Sequence, residues 1–307
     1  MQKQMNQLSL SDALVDSRSN FLSDVDNLID WTEIEKELSG IYGSSTGRPS
    51  YPLLMLFKTL LLQQWHRLSD PGVEEALADR ISFRRFAGLS LSDAVPDHST
   101  ISRFRAHLGN RYERLLSSLN TQFESRGFII KEGTMMDASF VRSISSKESV
   151  DPESGRYGRR GAEQSRCGYK MHTSVDRGSG IVRRVIVTPA NINDTTVADV
   201  LIMGDEKAVY ADKAYDKDAR RKSLTMRGVF AGLMHRPGPY RPLTEAQTAF
   251  NKQMSSLRAP VERTFAILKV HYLLRKTRYI GLARTAVQIT LACMAMNIKR
   301  AIVLTKA

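Results

Sequence analysis

The chain has 307 residues, of which 42% are hydrophobic and 25% are charged, so it is long and apolar enough for a sizeable core and two domains. Its formal net charge of +13 favours a polyanionic partner such as nucleic acid. A membrane is disfavoured because Lys58 interrupts the longest apolar run and no lipidation motif is seen. A polar N-terminal stretch, and two cysteines (Cys167 and Cys293) without zinc or disulfide spacing, predict a reduced, cytoplasmic location.

Helix start and stop signals dominate the first part of the chain. They predict four helices, over about residues 52–67, 70–88, 97–109 and 110–126. These helices define a predicted DNA-binding domain over residues 1–127. The second and third are joined by a short loop, which is typical of a helix-turn-helix unit in which Arg103, Arg105 and His107 would meet DNA. The alternative is a packed helix pair with a solvated basic edge.

Beyond Gly127 the pattern changes to short β-rich runs separated by turns. Strands are predicted at residues 134–141, 168–176, 181–189, 208–216 and 229–235, and helices at 194–205, 216–228, 244–258, 260–276 and 283–303. The first three strands are expected to form an antiparallel meander, and the later strands to alternate with helices. This order predicts an α/β fold with a mixed sheet in a second domain, residues 128–307.

Three acidic residues are candidates for one site. Asp137 interrupts the first predicted strand, Asp212 ends the fourth, and Glu262 lies in a late helix. If the two strands are neighbours and the helix crosses them, the three carboxylates would suit Mg²⁺ or Mn²⁺, and two such ions can promote cleavage of a phosphodiester. The alternative is that these are ordinary solvated or ion-paired acids, and Asp216 competes with Asp212 for the second position.

Basic residues accompany the third acid at helical intervals. Arg258 precedes Glu262 by four residues and Lys269 follows it by seven, so all three can share a helix face if the helix does not begin only at Pro260. The functional interpretation places the two cations near DNA. The alternative is an ordinary ion pair on a solvated face.

Further basic residues are predicted to bind DNA from the strands and their loops. Lys170 and His172 share one face of a strand and could approach phosphates, although His172 could equally be a satisfied strand residue. Asp176 is predicted to cap a turn and Asp194 to cap a helix. The polar segment 145–166 is predicted to be a mobile loop. It carries four arginines that could clamp phosphates or do nothing specific: Arg156, Arg159, Arg160 and Arg166.

The motifs together resemble a known family. They are "YPLLMLFKTLLLQQW", "VPDHSTISRFR", "MMDASFV", "GYKMHTSVD", "TPANINDT", "YADKAYD" and "RAPVERTFAILK", in this order. The chain is similar over nearly its whole length to bacterial insertion-sequence transposases of the DDE type, close to the insertion-sequence-five group of the insertion-sequence-four-like superfamily. Each motif is weak alone, and their joint occurrence carries the resemblance.

The resemblance implies a ribonuclease-H-like catalytic domain in which Asp137, Asp212 and Glu262 bind Mg²⁺ or Mn²⁺, two ions per site. It implies catalytic roles for Arg258 and Lys269, and double-stranded DNA as partner, both the terminal inverted repeats of an element and its target. A homodimer or larger assembly would hold two ends. The signature tyrosine, which would hold DNA near the active site, is replaced here by Ser255, so its role is either absent or filled by another residue such as Tyr272.

The function expected from the sequence is therefore metal-dependent DNA cleavage and strand transfer. Two alternatives belong to other classes. One is a DNA-binding regulator without catalysis, built on a transposase scaffold, and the other is a metal-dependent nuclease that cuts but does not join.

Overall fold

The computed structural model describes residues 20–42, 50–158, 166–238 and 240–306. They form two compact units. The first contains the described residues up to Gln122 together with those from Met294, and the second runs from Phe123 to Cys293. These bounds differ from the predicted division at residues 127 and 128 in two ways: the boundary falls after Gln122, and the end of the last helix belongs to the first unit.

The first unit is built from helices. They are α1 (Phe21–Leu28), α2 (Trp31–Leu38), α3 (Leu53–His66), α4 (Asp70–Asp79), α5 (Ile81–Ala87), α6 (His98–His107) and α7 (Arg111–Ser125). Side-chain caps start several of them: Asn20, Asp30, Ser69 and Asp97 each accept a hydrogen bond from a backbone N–H of the first turn. The apolar helix α3 supplies much of this core, since Leu56, Phe57, Leu60 and Leu61 are buried.

The helix predicted over residues 70–88 is instead two helices. Arg80 takes an extended conformation that ends α4 and starts α5. The buried guanidinium of Arg84 explains why the break is stable, since it donates to the carbonyl oxygens of Leu77 and Asp93, the latter at 2.7 Å. Tertiary hydrogen bonds of this kind override local helix propensity.

The second unit contains a six-stranded mixed sheet. Its strands are β1 (Thr134–Arg142), β2 (Gly155–Tyr157), β3 (Arg166–Asp176), β4 (Val182–Pro189), β5 (Ala208–Ala211) and β6 (Phe230–Leu233). The order is β2-β3-β1-β5-β6, with β4 also paired to β3. The β1–β3 and β3–β4 pairs are antiparallel, whereas β1–β5 and β5–β6 are parallel. The predicted mixed sheet is confirmed, and β2 lies inside the segment predicted as a loop.

The candidate site is positioned by one register row, that is, one set of residues paired with each other across neighbouring strands. Met136 of β1 pairs with Ala211 of β5, which pairs with Leu233 of β6. The three strands run in the same direction, so the next residue of each, Asp137 on β1 and Asp212 and Met234 at the ends of the other two, follows the same row.

Helices cover both faces of this sheet. They are α8 (Ala198–Leu201), α9 (Asp218–Met226) and α10 (Glu245–His271). The last helix, α11 (Leu282–Thr305), begins in this unit and ends in the first. Met136, Ala211 and Leu233 pack on one face with residues of α8 and α9. Helix α10 packs against β1 and β5. Because side chains alternate along a strand, Asp137 points away from the Met136 face.

Helix α11 is predominantly apolar, and its charged residues are Arg284, Lys299 and Arg300. Among the described helices it alone is long and apolar enough to cross a membrane, but 78% of its apolar window is buried within the protein. Ile289, Leu291 and Ile298 are fully buried. This burial is that of a core helix.

Candidate active site

Asp137 and Asp212 lie on neighbouring parallel strands, each one residue after the paired Met136 and Ala211. Asp137 is on β1 and Asp212 directly follows β5, its parallel neighbour. Burial raises the pKa of Asp137 above its ordinary value, and the nearby negative charge of Asp212 acts in the same direction. A cation bound between the two carboxylates would offset this repulsion at Asp137.

Helix α10 brings the third acid to this pair through an arginine. Arg258 Nη1 donates to Asp137 Oδ2 at 2.6 Å, and Arg258 Nη2 to Glu262 Oε1 at 3.5 Å. The Arg258 side chain is 12% exposed, whereas that of Glu262 is 67% exposed. Helix α10 runs without interruption through Pro260, so the two predicted helices at 244–258 and 260–276 are one, and Arg258 is helical. The guanidinium is the cation that holds the acids together here.

Asp216, the competing acid, serves the fold instead. Its Oδ1 accepts from Arg221 Nε at 2.7 Å, and its Oδ2 accepts from the backbone N–H of Arg236 at 3.0 Å. Asp212 accepts only from the backbone N–H of Lys213 among the contacts described for its side chain, at 2.6 Å. Asp212 therefore has fewer described side-chain contacts than Asp216 at the end of β5.

A buried phenol beside the acids escaped the sequence analysis. Tyr215 lies in the short turn after Asp212, is almost fully buried, and its hydroxyl has no hydrogen-bond partner among the described residues. Burial raises its pKa strongly, and the charges of Asp137 and Asp194 add to the effect. The signal was present in "YADKAYD", where Tyr215 follows Asp212 by three residues.

The predicted DNA contact of His172 is wrong for this structure, whereas that of Lys170 stays a prediction. Lys170 Nζ donates to Asp194 Oδ1 and to the carbonyl oxygen of Ile192, each at 2.8 Å. His172 is fully buried, its Nε2 lies 2.9 Å from Thr188 Oγ1, and burial lowers its pKa to about 4. A neutral, enclosed imidazole cannot reach a phosphate, and both side chains support the sheet.

Two other acids behave as turn residues. Asp176 accepts from Ser179 N at 2.9 Å and from Lys131 N at 2.9 Å, which confirms its predicted role as a turn cap. Asp194 does not cap the turn that it begins, because Asn193 accepts the hydrogen bond from Thr195 N. Its carboxylate is turned to Lys170.

The predicted DNA contact of Arg105 is also wrong for this structure. Arg105 is buried, and its guanidinium makes a two-pronged ion pair with Asp70, with Arg105 Nη1 to Asp70 Oδ2 at 3.0 Å. It also donates to Gln63 Oε1 at 2.9 Å. By contrast, Arg103 is exposed on the same helix and donates to the Ser99 carbonyl oxygen at 3.2 Å. Its role on DNA stays a prediction, as does that of the exposed His107.

These two arginines give a matched pair of variants. Arg105→Met is expected to lower the free energy of unfolding by about 3 kcal/mol, because it leaves Asp70 partly buried without its counter-ion. Arg103→Met is expected to change stability by less than about 0.5 kcal/mol. Urea denaturation of both variants checks this difference, and equal stability of the two would contradict the structural role of Arg105.

The remaining basic residues with predicted roles differ in how exposed their side chains are. Arg156 is exposed and pairs with Glu148 at 3.0 Å, Arg166 is exposed at the start of β3, and their DNA roles stay predictions. Arg159 and Arg160 lie outside the described residues. Lys269 is half-buried on α10, and burial, followed by the charge of Arg275, lowers its pKa. Its catalytic role stays a prediction.

Tyr272 does not fit the role of the missing signature tyrosine. It is buried at the end of α10, and burial raises its pKa. Ser255 is exposed three residues before Arg258. The structure does not support Tyr272 in that role, because its phenol is buried, and the alternative that the role is absent stays a prediction.

The acids fit a divalent cation in part. Asp137 and Asp212 offer hard oxygen donors at adjacent positions, as Mg²⁺ and Mn²⁺ prefer. Within the described ranges, however, no three His, Cys, Asp or Glu side chains converge as a complete ligand set. One oxygen of Asp137 already accepts a hydrogen bond from Arg258, and the Glu262 side chain extends towards solvent. Completing the set requires Glu262 to turn towards the pair.

Comparison with known proteins identifies the class as transposase. Residues 130–298 match the family described as "Transposase DDE domain", and residues 10–107 match "Transposase domain (DUF772)". The first match spans more than half of the chain. This protein belongs to the transposase DDE domain family, whose members generally use divalent metal ions. The predicted membership among DDE transposases is confirmed, and the insertion-sequence-five group stays a prediction.

Solved transposase complexes are among the similar structures. A piggyBac transposase synaptic complex with hairpin DNA is 11% identical, with a TM-score of 0.43 over 92% of this chain and 73% of that chain. A Mos1 transposase paired-end complex with left transposon end is 9% identical, with a TM-score of 0.23 over 88% of this chain and 92% of that chain.

Proposed function

We propose that this protein is a DNA transposase of the insertion-sequence-five group, which binds the ends of its element and catalyses metal-dependent strand cleavage and strand transfer. The observation that carries the proposal is the placement of Asp137 and Asp212 after one register row, with Arg258 connecting Asp137 to Glu262. The family membership supplies the reaction class. The catalytic unit would be ribonuclease-H-like, with its mixed sheet carrying the first two acids.

Asp137, Asp212 and Glu262 would hold the divalent ions, either Mg²⁺ or Mn²⁺ and two per site. When bound, such ions supply charge stabilisation at the attacked phosphodiester and lower the pKa of a water molecule. The residues of the chain do the positioning. Asp137 is held by β1 and by its partial burial, and Glu262 is free to turn because it is exposed. Arg258, once it releases Asp137, is placed to neutralise phosphate, and Lys269 would balance charge beside it.

DNA is the proposed partner of both units. The net charge of +13 offsets repulsion between the acids and the phosphate backbone. The helical unit would recognise the inverted repeats through its exposed cations, Arg103 among them, and Arg156 would contact phosphates beside the sheet. Because an element has two ends, a homodimer or larger assembly would hold them together in the bacterial cytoplasm.

A strand-transfer assay tests the proposal. The purified full chain is incubated with DNA carrying the sequences that flank its own gene, with Mg²⁺, Mn²⁺ or EDTA, and the products are resolved on denaturing gels. Nicking at the element ends followed by joining, in the presence of either ion only, is the expected result. Binding without cleavage would identify a non-catalytic regulator instead, and cleavage that never proceeds to joining would identify a nuclease.

A further inference from the structure

The turn after β5 carries a buried side chain whose hydroxyl has no evident structural use. Tyr215 is 1% exposed, and its ring packs in the core with Met136 and Ala211. Its N–H donates to the Asp212 carbonyl oxygen at 2.9 Å, and its own carbonyl oxygen accepts from Arg220 Nη1 at 2.5 Å. The hydroxyl, however, has no hydrogen-bond partner among the described residues. A benzyl side chain would fill the same core, so packing does not explain the hydroxyl.

The sheet is open beside Asp137 on the side of β5. The β1–β5 ladder ends at the pair Met136 and Ala211, but β1 continues beyond it. The turn that carries Tyr215 starts directly after the ladder ends. Burial raises the pKa of Tyr215, and among the nearby charges that raise it further, that of Asp137 acts most strongly. The hydroxyl therefore keeps its proton and lies within electrostatic reach of the first acid.

A second unpartnered donor lies at the same carboxylate. Arg258 Nε is buried and has no hydrogen-bond partner among the residues that the structure describes, although Arg258 Nη1 donates to Asp137 Oδ2 at 2.6 Å. Asp137 Oδ1 accepts from the backbone N–H of Ala138 at 2.9 Å. Buried donors without a partner are rare, because each has given up its hydrogen bond to water. Two such donors around one acid indicate that Asp137 has a second orientation, in which more of them are used.

We propose that Tyr215 is a positioning residue of the metal site, whose hydroxyl donates a hydrogen bond to Asp137 when a divalent cation replaces Arg258 at that carboxylate. The inference rests on the proposed function, which supplies the cation. The cation and the guanidinium compete for Asp137, since Arg258 holds its Oδ2. Once that contact breaks, a fixed donor is needed to keep the carboxylate oriented, as hydrogen bonds to ligating carboxylates do. Asp194 is the less suitable acceptor, because Lys170 already donates to it at 2.8 Å and does not have to leave.

Tyr215→Phe tests the inference, because it removes the hydroxyl and keeps the ring. Mn²⁺ affinity is measured on the full chain without DNA, from the electron paramagnetic resonance signal of the free ion. Loss of a hydrogen bond to a ligating carboxylate is expected to weaken Mn²⁺ binding roughly 10- to 100-fold. The urea midpoint of unfolding without metal should not fall, because the hydroxyl has no described partner to lose. A purely structural role would lower the midpoint and leave the Mn²⁺ affinity unchanged.

Tyr210→Phe is the matched control. It removes another phenol hydroxyl, which lies on β5 and accepts from Arg177 Nη1 at 3.4 Å. Its Mn²⁺ affinity should equal that of the wild type. In the strand-transfer assay, the Mn²⁺ concentration that gives half-maximal cleavage should rise for Tyr215→Phe by the same factor as its dissociation constant, and should stay at the wild-type value for the control.

Unchanged Mn²⁺ dependence in Tyr215→Phe would overturn the inference, while cleavage and joining by the wild type would leave the proposed function standing. A lower urea midpoint without metal would overturn the inference as well, because the hydroxyl would then already have a partner in the metal-free protein. A wild type that binds no Mn²⁺ and cuts no DNA would remove the proposed function together with the inference.

Discussion

Asp137→Asn is expected to abolish DNA cleavage, with a fall in rate of at least about 10³-fold in the strand-transfer assay. The substitution keeps the shape of the side chain and removes the negative charge that would bind the ion. Ion-mediated stabilisation of a phosphoryl transition state is worth several kcal/mol, and each 1.4 kcal/mol or so is a factor of ten in rate. Asp212→Asn should behave alike, because Asp212 follows the same register row. Binding to duplex DNA should survive in both variants.

Asp218→Asn is the matched control for these variants. Asp218 is an exposed acid in the first turn of α9, a few residues after Asp212, and it has no ion pair with a described residue. Cleavage by this variant should equal that of the wild type. Unimpaired cleavage by Asp137→Asn, measured with folded protein, would exclude Asp137 from the metal site and with it the proposed arrangement of acids.

Arg258→Met is expected to lower the free energy of unfolding by about 1–3 kcal/mol at neutral pH without metal, because Asp137 stays largely buried and loses its counter-ion. The deficit should shrink as the pH falls. Burial already raises the pKa of Asp137 above its ordinary value, and Arg258 opposes that rise, so the variant raises it further. A carboxyl whose pKa is higher in the folded state binds its proton more tightly there. Stability therefore increases as the pH drops through the folded-state pKa.

Urea denaturation of wild type and variant at neutral pH and at about pH 5 measures this dependence. Arg263→Met, an exposed position on the same helix, controls for loss of an arginine and should be nearly silent at both pH values. The same protein allows a second measurement: removal of the guanidinium from Asp137 should tighten Mn²⁺ binding in calorimetry. If Arg258→Met lost the same free energy of unfolding at both pH values and bound Mn²⁺ no more tightly, Arg258 would not be the cation that balances the charge of Asp137 in the absence of metal.

Asp137 and Asp212 could be identified as candidate site residues from the sequence, because the pattern that marks each of them involves only its neighbours along the chain. Asp137 interrupts an apolar strand and Asp212 ends another, and these patterns are visible without knowledge of the partner strands. The parallel pairing of the strands then follows from the alternation of strands with helices. Glu262 was a candidate because it lies in a late predicted helix, and its helical spacing to Arg258 supported that choice.

The errors arose where long-range contacts decide the role of a charged side chain. Arg105 and Arg103 are two residues apart and look alike in the sequence, yet the ion pair with Asp70 buries only Arg105. His172 was grouped with Lys170 because they share a strand face, but that face is covered and the ring is enclosed. Strand β2 pairs with β3 through only three residues, too few for a periodic pattern.

The register row of Asp137 and Asp212 also governs when the site can exist. A parallel pair cannot form through a tight hairpin, so β1 must wait during synthesis until β5 has left the ribosome. The long-range closure makes this pairing slow compared with the β1–β3 ladder. Glu262 is made later still, on a helix that packs against both strands. A nascent or truncated chain that ends before this helix can therefore fold part of its sheet but carries an incomplete set of acids.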